Sequence, residues 1–452
     1  MNEHFETILR PFREKAADTE AYAKESIAKH RMGDVRMVFV DDAGKPVPGV
    51  SAKISQTGHE FGFGANAFLV GEFKGEQNER FEALFADVFN RATLPLYWKS
   101  LEPVEGKPRY TVDSEWIYRR PPPDLCLEFC NRLGIRPKAH ILSYPPHIPD
   151  WCKGDIAFEK AKLEARFASL AERYADKIQD WEVTNEVFAW HQNRPPEDLG
   201  SFYRLGEDYI EWCYRTADRY FPHNRLIMND DRPHVFPLPG WSSWGVGPRS
   251  PYRILAENTL LKGCRIDAFG MQYHMFDSPE GEAKNAKCLH DPDMLRYTFD
   301  AIASLGRPLQ ITETTFSAWG DSPEAYDFQA ELLRHHYTLW FAYPAMEQIY
   351  YWNLVDGYTF GKKRDLTDGE NAYHGGLVDV NLRPKPIYET LRHLVKEVWH
   401  TGLAATADAS GAISCHAFYG DYACEATLPN GTRKNLSFRF SKKGPAEIRI
   451  PV

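Results

Sequence analysis

Trp181-Glu182-Val183-Thr184-Asn185-Glu186 is a short, largely apolar run that predicts a β-strand with a carboxylate at its carboxyl end. Leu309-Gln310-Ile311-Thr312-Glu313 has the same form, again with a glutamate as the last residue. In a barrel of parallel strands the functional groups gather where the strands end. We therefore predict that Glu186 and Glu313 face each other across a barrel mouth.

The chain on both sides of these runs alternates short apolar segments with longer helical patterns, which is typical of βα units. The apolar segments predict eight strands: Glu60–Ala65, Arg91–Trp98, Pro137–Leu142, Asp180–Asn185, Leu226–Asn229, Ala268–Tyr273, Leu309–Glu313 and Gln348–Leu354. This count predicts an α/β fold with a closed (β/α)8 TIM barrel over residues 59–401. Within the fourth strand, alternation predicts that Trp181, Val183 and Asn185 point to one side.

The two ends of the chain have a different pattern. Residues 1–31 predict a packing helix, residues 35–54 predict a β-hairpin, and the C-terminal end holds short alternating strands separated by turns. Because a lone hairpin is marginal in water, we expect residues 32–58 and 402–452 to form one small β-sandwich. The alternative is two separate β-extensions on the barrel. A sandwich could brace the barrel or bind carbohydrate, and bracing is the favoured interpretation.

Composition excludes several classes of partner. The 452 residues carry a formal net charge of -9, which offers no basic stripe for nucleic acid. No apolar run approaches the roughly 20 residues of a membrane span. The 43% hydrophobic and 14% aromatic content is enough to fill a large core, and a neutral carbohydrate suits this charge balance. The oligomeric state is left open.

The eight cysteines form no CxxC pair and no Cys/His zinc pattern, so we expect free thiols and neither a metal nor a cofactor. A bridge between Cys415 and Cys424, on two predicted strands, is the alternative. Residues 1–31 have no apolar core of a secretory signal. The expected location is cytoplasmic, or secreted if a signal has been removed.

Two carboxyl groups at opposite strand ends match the needs of glycoside hydrolysis. That reaction needs one carboxylic acid to protonate the leaving oxygen and one carboxylate beneath the anomeric carbon. Either glutamate alone would more often be a surface or ion-paired group. The pair at matched strand ends favours a glycosidase.

Most of residues 59–395 resembles the family 10 xylanases, which belong to the clan of retaining barrel glycosidases with catalytic glutamates after strands four and seven. The motifs that carry this resemblance are Phe89-Asn90 with Ser100-Leu101-Glu102-Pro103, His140-Ile141-Leu142 with Pro149-Asp150-Trp151, Trp181–Glu186, Gly270–His274, Ile311-Thr312-Glu313, Trp352–Asp356, and Pro384-Lys385-Pro386 with Tyr388. Each motif is weak alone, but the order of all seven is specific.

The resemblance implies that Glu186 is the acid/base and Glu313 the nucleophile of a retaining, xylan-degrading hydrolase. The retaining mechanism predicts carboxyl groups about 5 to 5.5 Å apart. The resemblance, together with positions at strand ends, gives the predicted substrate contacts: Tyr97, Trp98, His140, Asn185, Gln272, Tyr273, His274 and Trp352.

This chain also departs from the family pattern. The run Thr93–Tyr97 lacks the Glu-Asn and Lys with which the family grips the next sugar, and Pro145-Pro146 replaces a second histidine. Thr315 replaces an acidic residue, and Phe360 a tryptophan. We therefore expect xylan itself to be a poor substrate, and an exo-acting or oligosaccharide-directed enzyme, or one for another β-linked sugar, becomes an alternative.

Two further alternatives concern the class of protein. A non-catalytic glycan-binding barrel would have the two glutamates pointing away from a common cleft. A metal-dependent isomerase or lyase would need clustered His and carboxylate ligands. Elsewhere, Arg119-Arg120-Pro121-Pro122-Pro123 predicts a loop before a helix, and Trp241, Trp244 and Tyr252 are candidates for a cleft wall.

Overall fold

The computed structural model describes residues 2–187, 196–231 and 249–452. The strands in these ranges are β1 (Met32–Val40), β2 (Ser51–His59), β3 (Gly62–Asn66), β4 (Arg91–Pro95), β5 (Arg136–His140), β6 (Asp180–Asn185), β7 (Arg225–Asp230), β8 (Ala268–His274), β9 (Leu309–Thr315), β10 (Met346–Tyr351), β11 (Gly402–Thr406), β12 (Ala412–Phe418), β13 (Gly420–Thr427), β14 (Arg433–Phe440) and β15 (Glu447–Pro451).

The α-helices in the same ranges are α1 (Glu3–Glu14), α2 (Ala16–His30), α3 (Glu76–Val88), α4 (Trp98–Leu101), α5 (Pro123–Leu133), α6 (Ile156–Tyr174), α7 (Ser201–Leu205), α8 (Tyr209–Tyr220), α9 (Pro251–Leu261), α10 (Pro279–Lys284), α11 (Ala286–Leu289), α12 (Pro292–Ala303), α13 (Pro323–Ala342) and α14 (Pro386–His393).

Strands β3 to β10 form a closed parallel barrel in which β10 pairs with both β9 and β3. Each of the eight strands predicted from the sequence overlaps one of them, so the predicted (β/α)8 barrel is confirmed. The strands read as near-continuous apolar runs because the barrel interior buries one face and the surrounding helices bury the other. All carboxyl ends point to one mouth.

A β-bulge breaks the alternation of β6, and the predicted grouping of Trp181, Val183 and Asn185 on one side is wrong. The pairing of β6 with β7 shifts register between Glu182 and Thr184. Trp181 packs outward against the ring of Phe221 at 4.4 Å, whereas Asn185 points into the barrel mouth. Glu182 faces inward because it follows outward-facing Trp181. The extra residue of the bulge turns the side chains after it to the opposite face, so Asn185 joins Glu182 on the inside.

The N-terminal segment forms two helices rather than the single predicted helix. The break lies at Lys15, whose ammonium pairs with Asp291 at 2.8 Å and with Asp293 at 2.7 Å. The first helix continues through Pro11 and buries an apolar face of Phe5, Ile8, Leu9 and Phe12. These contacts hold the segment against the outside of the barrel.

The predicted hairpin of β1 and β2 is wrong, because the two strands belong to different sheets. Strand β1 lies between β12 and β15, whereas β2 lies between β11 and β13 in a sheet that ends with β14. After the turn at residues 41–45 the chain crosses to the second sheet instead of folding back. The inner faces of the two sheets share one apolar cluster, with Phe39 and Ile413 from the first and Ile54 and Tyr422 from the second.

This sandwich packs at the amino ends of the barrel strands. His59, at the end of β2, is three residues before β3, and its ring contacts Phe418 of the sandwich and Phe63 of the barrel. Trp399 stacks on Phe341 at 4.3 Å beside them. The sandwich therefore lies at the end of the barrel opposite the mouth, as a brace would.

All eight cysteines are free in the structure. Cys415 faces Val35 in one sheet and Cys424 faces Ile54 in the other, which separates the two thiols that could have paired. Across the described ranges, no helix combines the length and apolarity needed to cross a membrane.

Candidate active site

A cleft with a volume of about 360 Å³ opens at the carboxyl ends of the barrel strands. Both glutamates line it, so they share one cavity as the sequence predicted. The residues that line this cleft are Tyr97, Arg119, Arg120, His140, Tyr144, Pro146, His147, Asn185, Glu186, Asp231, Gln272, His274, Phe276, Glu313, Trp352, Phe360 and Glu370.

One amide group joins the two carboxylates. The Nε2 atom of Gln272 donates to Oε1 of Glu186 at 3.0 Å and to Oε1 of Glu313 at 3.0 Å. The two oxygens can therefore be no more than twice 3.0 Å, or 6.0 Å, apart. This limit applies to one oxygen of each group and agrees with the roughly 5 to 5.5 Å between the carboxyl groups of retaining glycosidases.

Hydrogen-bond donors surround Glu313, which is 3% exposed. Asn229 donates to its Oε1 at 3.1 Å, and His274 Nε2 lies 3.2 Å from its Oε2. A shift in the pairing of β8 with β9 places both Thr312 and Glu313 inside the barrel, where the Thr312 hydroxyl donates to Asn229 Oδ1 at 2.5 Å and fixes that amide. Together with Gln272, these contacts direct three donors at one carboxylate.

Glu186 begins the loop after β6 with a φ of 52°, a left-handed conformation that is uncommon for a residue with a side chain. Its Oε2 accepts a hydrogen bond from the Tyr144 hydroxyl at 2.5 Å. Strained backbone of this kind clusters at functional sites, where surrounding contacts hold it. The strain here aims the carboxyl group into the cleft.

Burial raises the pKa of Glu186 to about 8, helped by the negative charges of Asp231 and Glu313. Burial also raises the pKa of Glu313, although His140 and the hydrogen bond from Asn229 oppose that shift. The two carboxyls titrate as a pair. Because Glu313 receives three donors while Glu186 faces Asp231, the first negative charge of the pair belongs on Glu313 and the remaining proton on Glu186.

We expect kcat/KM to fall as pH rises above about 8, because only protonated Glu186 can act as the acid. Asp231→Asn removes one negative charge that keeps Glu186 protonated. The variant should therefore move the alkaline limb of the pH profile to lower pH by on the order of 0.5 to 1 unit. Asp42→Asn, in an exposed turn of the sandwich, is the matched control and should leave the limb in place. An unmoved limb in the Asp231 variant would contradict the assignment of the acid.

A second layer of charge lies beneath the two glutamates. The Glu182 carboxylate pairs with the Lys138 ammonium and with Nδ1 of His140, all three being at most 1% exposed. Burial alone would raise the pKa of Glu182, but Lys138 and His140 hold it below its usual value. His140 Nδ1 also lies 3.9 Å from Glu313. This layer fixes the orientation of His140 and adds positive charge behind Glu313.

His140, Glu182 and Glu313 could in principle share a metal ion, because each offers a ligand atom within 4.8 Å of the others. Lys138, however, already places an ammonium against the same Glu182 carboxylate. A metal cation there would be repelled by the Lys138 ammonium and would have to compete with it for the Glu182 carboxylate. The donor set therefore fits a charged lysine better than a metal.

Six of the eight predicted substrate contacts line the cleft: Tyr97, His140, Asn185, Gln272, His274 and Trp352. Asn185 uses its Oδ1 to accept from Asn229 at 2.7 Å and from Gln272 at 3.0 Å. Its Nδ2 has no acceptor among the residues that the structure describes, which leaves it free to donate to a ligand. Tyr97 donates or accepts through its hydroxyl with His140 Nε2 at 2.9 Å.

The other two predicted contacts, Trp98 and Tyr273, do not line this cleft. The indole N–H of Trp98 donates to Glu102 at 2.9 Å, and its ring packs on Trp151, away from the cleft. The Tyr273 ring points outward to Trp340 at 5.1 Å, because alternation along β8 turns it away from the face shared by its two neighbours. Both are large aromatic residues of the core.

Three residues of the site were not predicted: Tyr144 and Asp231, which line the cleft, and Asn229, which is buried beneath it and donates to Glu313. Asn229 lies near the carboxyl end of β7, and Asp231 directly follows that strand. Like the two glutamates, they could have been identified from this position at the end of a barrel strand. Tyr144 follows β5 by four residues and reaches Glu186 only through the tertiary structure. Of the proposed wall residues, Tyr252 is buried beneath β7 and β8, and Trp241 and Trp244 lie outside the described residues.

Comparison with known proteins gives one consistent family. The model of the family described as glycosyl hydrolase family 10 matches residues 54–394. Endo-1,4-beta-xylanase 1 of Arabidopsis thaliana is 23% identical over 442 residues, which are 94% of this chain but 40% of that protein. Endo-1,4-beta-xylanase A of Halalkalibacterium halodurans is 25% identical over 331 residues, 64% of this chain and 74% of that protein.

Solved structures share the fold. Xylanase 10B from Thermotoga petrophila, in complex with xylobiose, superimposes with a TM-score of 0.57 at 20% identity, covering 75% of this chain and 95% of that chain. A structure from Paenibacillus barcinonensis gives a TM-score of 0.56 at 21% identity, covering 74% of this chain and 94% of that chain. The uncovered quarter of this chain is about the size of its terminal helices and sandwich together.

Proposed function

The chain belongs to glycosyl hydrolase family 10, and from its cleft we propose that it hydrolyses β-linked glycans built of xylose or a related sugar, with retention of configuration at the anomeric carbon. The observation that carries this proposal is the Gln272 amide, 3.0 Å from an oxygen of each catalytic glutamate. A link of this length supports the close carboxyl spacing of retaining glycosidases, in which the second carboxylate itself attacks the anomeric carbon.

The first step forms a covalent glycosyl-enzyme. Glu313 attacks the anomeric carbon while Glu186 gives its proton to the glycosidic oxygen, so that the bond to the leaving group breaks as the bond to Glu313 forms. In the second step Glu186, now ionised, takes a proton from water, whose oxygen displaces Glu313. The sugar leaves with its original configuration, and both glutamates return to their starting states.

The residues around the pair support the charge that develops during both steps. Asn185 offers its free Nδ2 to a sugar hydroxyl, and Trp352, 7% exposed, forms an apolar wall with His140 and His274. The layer of Lys138 and Glu182 holds His140 in one orientation beneath the site. Such prearranged groups lower the barrier because they need not reorganise during the reaction.

The substrate we favour is an oligosaccharide rather than long xylan. Xylan is a candidate substrate because relatives of this chain are named as xylanases. At the neighbouring wall, however, Tyr97 is only 5% exposed and the Arg120 guanidinium lies 3.9 Å from its ring centroid, so the ring offers little open surface to a second sugar ring. This lack of a stacking surface for a second sugar favours short chains.

The test is hydrolysis of xylo-oligosaccharides and of 4-nitrophenyl β-xyloside and β-glucoside, with the first product followed by proton NMR. We expect the β-anomer to appear first and to convert later to the equilibrium mixture. Early appearance of the α-anomer would overturn the retaining mechanism, and failure on every β-glycoside would overturn the function. Glu128→Gln, an exposed change on α5, is the matched control for purification and handling.

A further inference from the structure

Two consecutive arginines form one wall of the catalytic cleft. Arg119 and Arg120 lie in the segment between α4 and α5 and both line the cavity that holds Glu186 and Glu313. The Arg120 guanidinium lies 3.9 Å from the ring centroid of Tyr97 and 5.3 Å from that of Phe68. Arg119 is buried and Arg120 half-buried, and burying a cation is costly unless it has partners, so the contacts of these two guanidiniums decide what the wall can bind.

Neither arginine has a carboxylate partner within ion-pair distance among residues 2–187, 196–231 and 249–452. The guanidinium of Arg120 donates to the Arg119 carbonyl at 2.8 Å, and that of Arg119 donates to the Tyr358 carbonyl at 3.0 Å. A guanidinium has five N–H donors, so most of those on Arg120 remain unused. The nearby Glu370 carboxylate accepts instead from the Asn353 amide at 3.0 Å.

The arginine wall is built rigidly. Arg119, 6% exposed, has a φ of 58°, which is uncommon outside glycine and indicates a conformation held by its surroundings. Behind it, the buried Arg109 donates to the carbonyls of Ser100 and Glu115 at 2.8 Å each and to that of Arg120 at 3.3 Å. Because the loop is already ordered, little conformational entropy is lost when a ligand binds to its charge.

The charge on this wall persists at neutral pH. Burial lowers the pKa of Arg120 to about 10, which leaves the guanidinium cationic. A partly buried cation without a counter-ion is costly, and that cost is relieved when an anion arrives. Arginine matches the two oxygens of a carboxylate with two parallel hydrogen bonds, a geometry that a sugar hydroxyl cannot use.

We propose that Arg119 and Arg120 form an anion subsite that binds the carboxylate of a uronic acid unit adjacent to the sugar held between the two catalytic glutamates. The inference rests on the proposed glycosidase function and narrows its substrate class to acidic oligosaccharides. Arg120 makes the direct contact, and Arg119 supplies a second positive charge and fixes the loop.

The experiment measures binding by calorimetry to the Glu313→Gln enzyme, which holds a ligand without cleaving it. The ligands are a xylo-oligosaccharide with one glucuronic acid unit, the same compound as its methyl ester, and the unsubstituted xylo-oligosaccharide. We expect the acid to bind at least 10-fold more tightly than the ester, a ratio that corresponds to about 1.4 kcal/mol. The ester changes only the ligand, so this comparison does not depend on the folding of a variant.

Arg120→Gln in the same background should reduce the ratio of acid to ester affinity to about 1, whereas Arg120→Lys should keep part of it because the charge remains. Arg80→Gln, on the exposed face of α3, is the matched control and should leave the ratio unchanged. If the Glu313→Gln protein with Arg120 intact binds the acid and the ester equally, the proposed anion subsite is wrong.

The two proposals fail in different ways. If neutral oligosaccharides are cleaved by the wild-type enzyme but acid and ester bind equally, the glycosidase stands and the anion subsite is wrong. If no oligosaccharide of the set binds or is cleaved, the proposed function itself is wrong. If the Arg120→Gln protein still binds the acid more tightly than the ester, the carboxylate is bound elsewhere in the cleft. That result would also overturn the proposed subsite.

Discussion

Replacement of Glu313 by glutamine is expected to lower kcat by about 10⁴-fold or more, because a neutral amide cannot attack the anomeric carbon. The substitution keeps the shape of the side chain and an oxygen that can accept from Asn229 and Gln272. The change therefore removes the nucleophile with little change to the cleft. Steady-state hydrolysis of 4-nitrophenyl glycosides measures the effect.

The stability of the Glu313→Gln protein provides an internal check. Burial raises the pKa of Glu313, which means that its ionised form is unfavourable in the folded protein. At pH values above the unfolded pKa, removal of that charge should leave Tm equal to or higher than that of the wild type. Glu128→Gln should change neither activity nor Tm. A Glu313→Gln protein with wild-type kcat would remove Glu313 from the mechanism, and a large loss of Tm would mean that its role is structural.

Replacement of Glu186 by glutamine is expected to have an effect that depends on the leaving group. Hydrolysis of an unactivated oligosaccharide should fall by about 10² to 10⁴-fold, since the leaving oxygen no longer receives a proton. A 2,4-dinitrophenyl glycoside needs no such proton, so its first step should remain fast and release a burst of dinitrophenol. The covalent intermediate should then accumulate, because no base activates water.

Added azide separates this explanation from simple damage to the site. Azide needs no general base, so it should restore turnover of the dinitrophenyl glycoside by the Glu186→Gln protein and yield a β-glycosyl azide. It should not rescue the Glu313→Gln protein in this way. Equal losses for both leaving groups, without a burst or an azide effect, would contradict the role of Glu186 as acid/base.

The barrel and the catalytic pair could be predicted from the sequence because both depend on local patterns. Each barrel strand is a short apolar run, and the carboxyl ends of such runs meet wherever the barrel closes. Glu186 and Glu313 terminate two of these runs, so their meeting follows from the fold. Their shared contact with Gln272 lies on a third strand and follows from the same geometry.

The contacts that the sequence did not reveal depend on irregular structure. The bulge in β6 brings Asn185 to the inside beside Glu182, although strict alternation would have placed these two residues on opposite faces. The predicted hairpin failed because the turn after β1 leads into a second sheet, which strand patterns alone do not distinguish from a return to the first. Such choices are made by packing between distant segments.

Arg119 and Arg120 show the same limit at the site. The sequence correctly predicts a loop before a helix. It does not show that this loop lines the cleft, where Arg109 holds it. Trp98 and Tyr273 were placed at the cleft because they lie in or beside strands. The turn of α4 directs Trp98 into the core, and alternation along β8 does the same for Tyr273.

The most direct measurement of the central claim is trapping of the covalent intermediate. Incubation with a 2,4-dinitrophenyl 2-deoxy-2-fluoro-β-xyloside or xylobioside slows both steps, and the good leaving group lets the first step proceed. We predict one fluorosugar per protein molecule, located by peptide mass spectrometry on Glu313 and absent from Glu313→Gln. Attachment to any other residue, or turnover of β-xylosides to the α-anomer without a covalent intermediate, would contradict the double displacement proposed for this cleft.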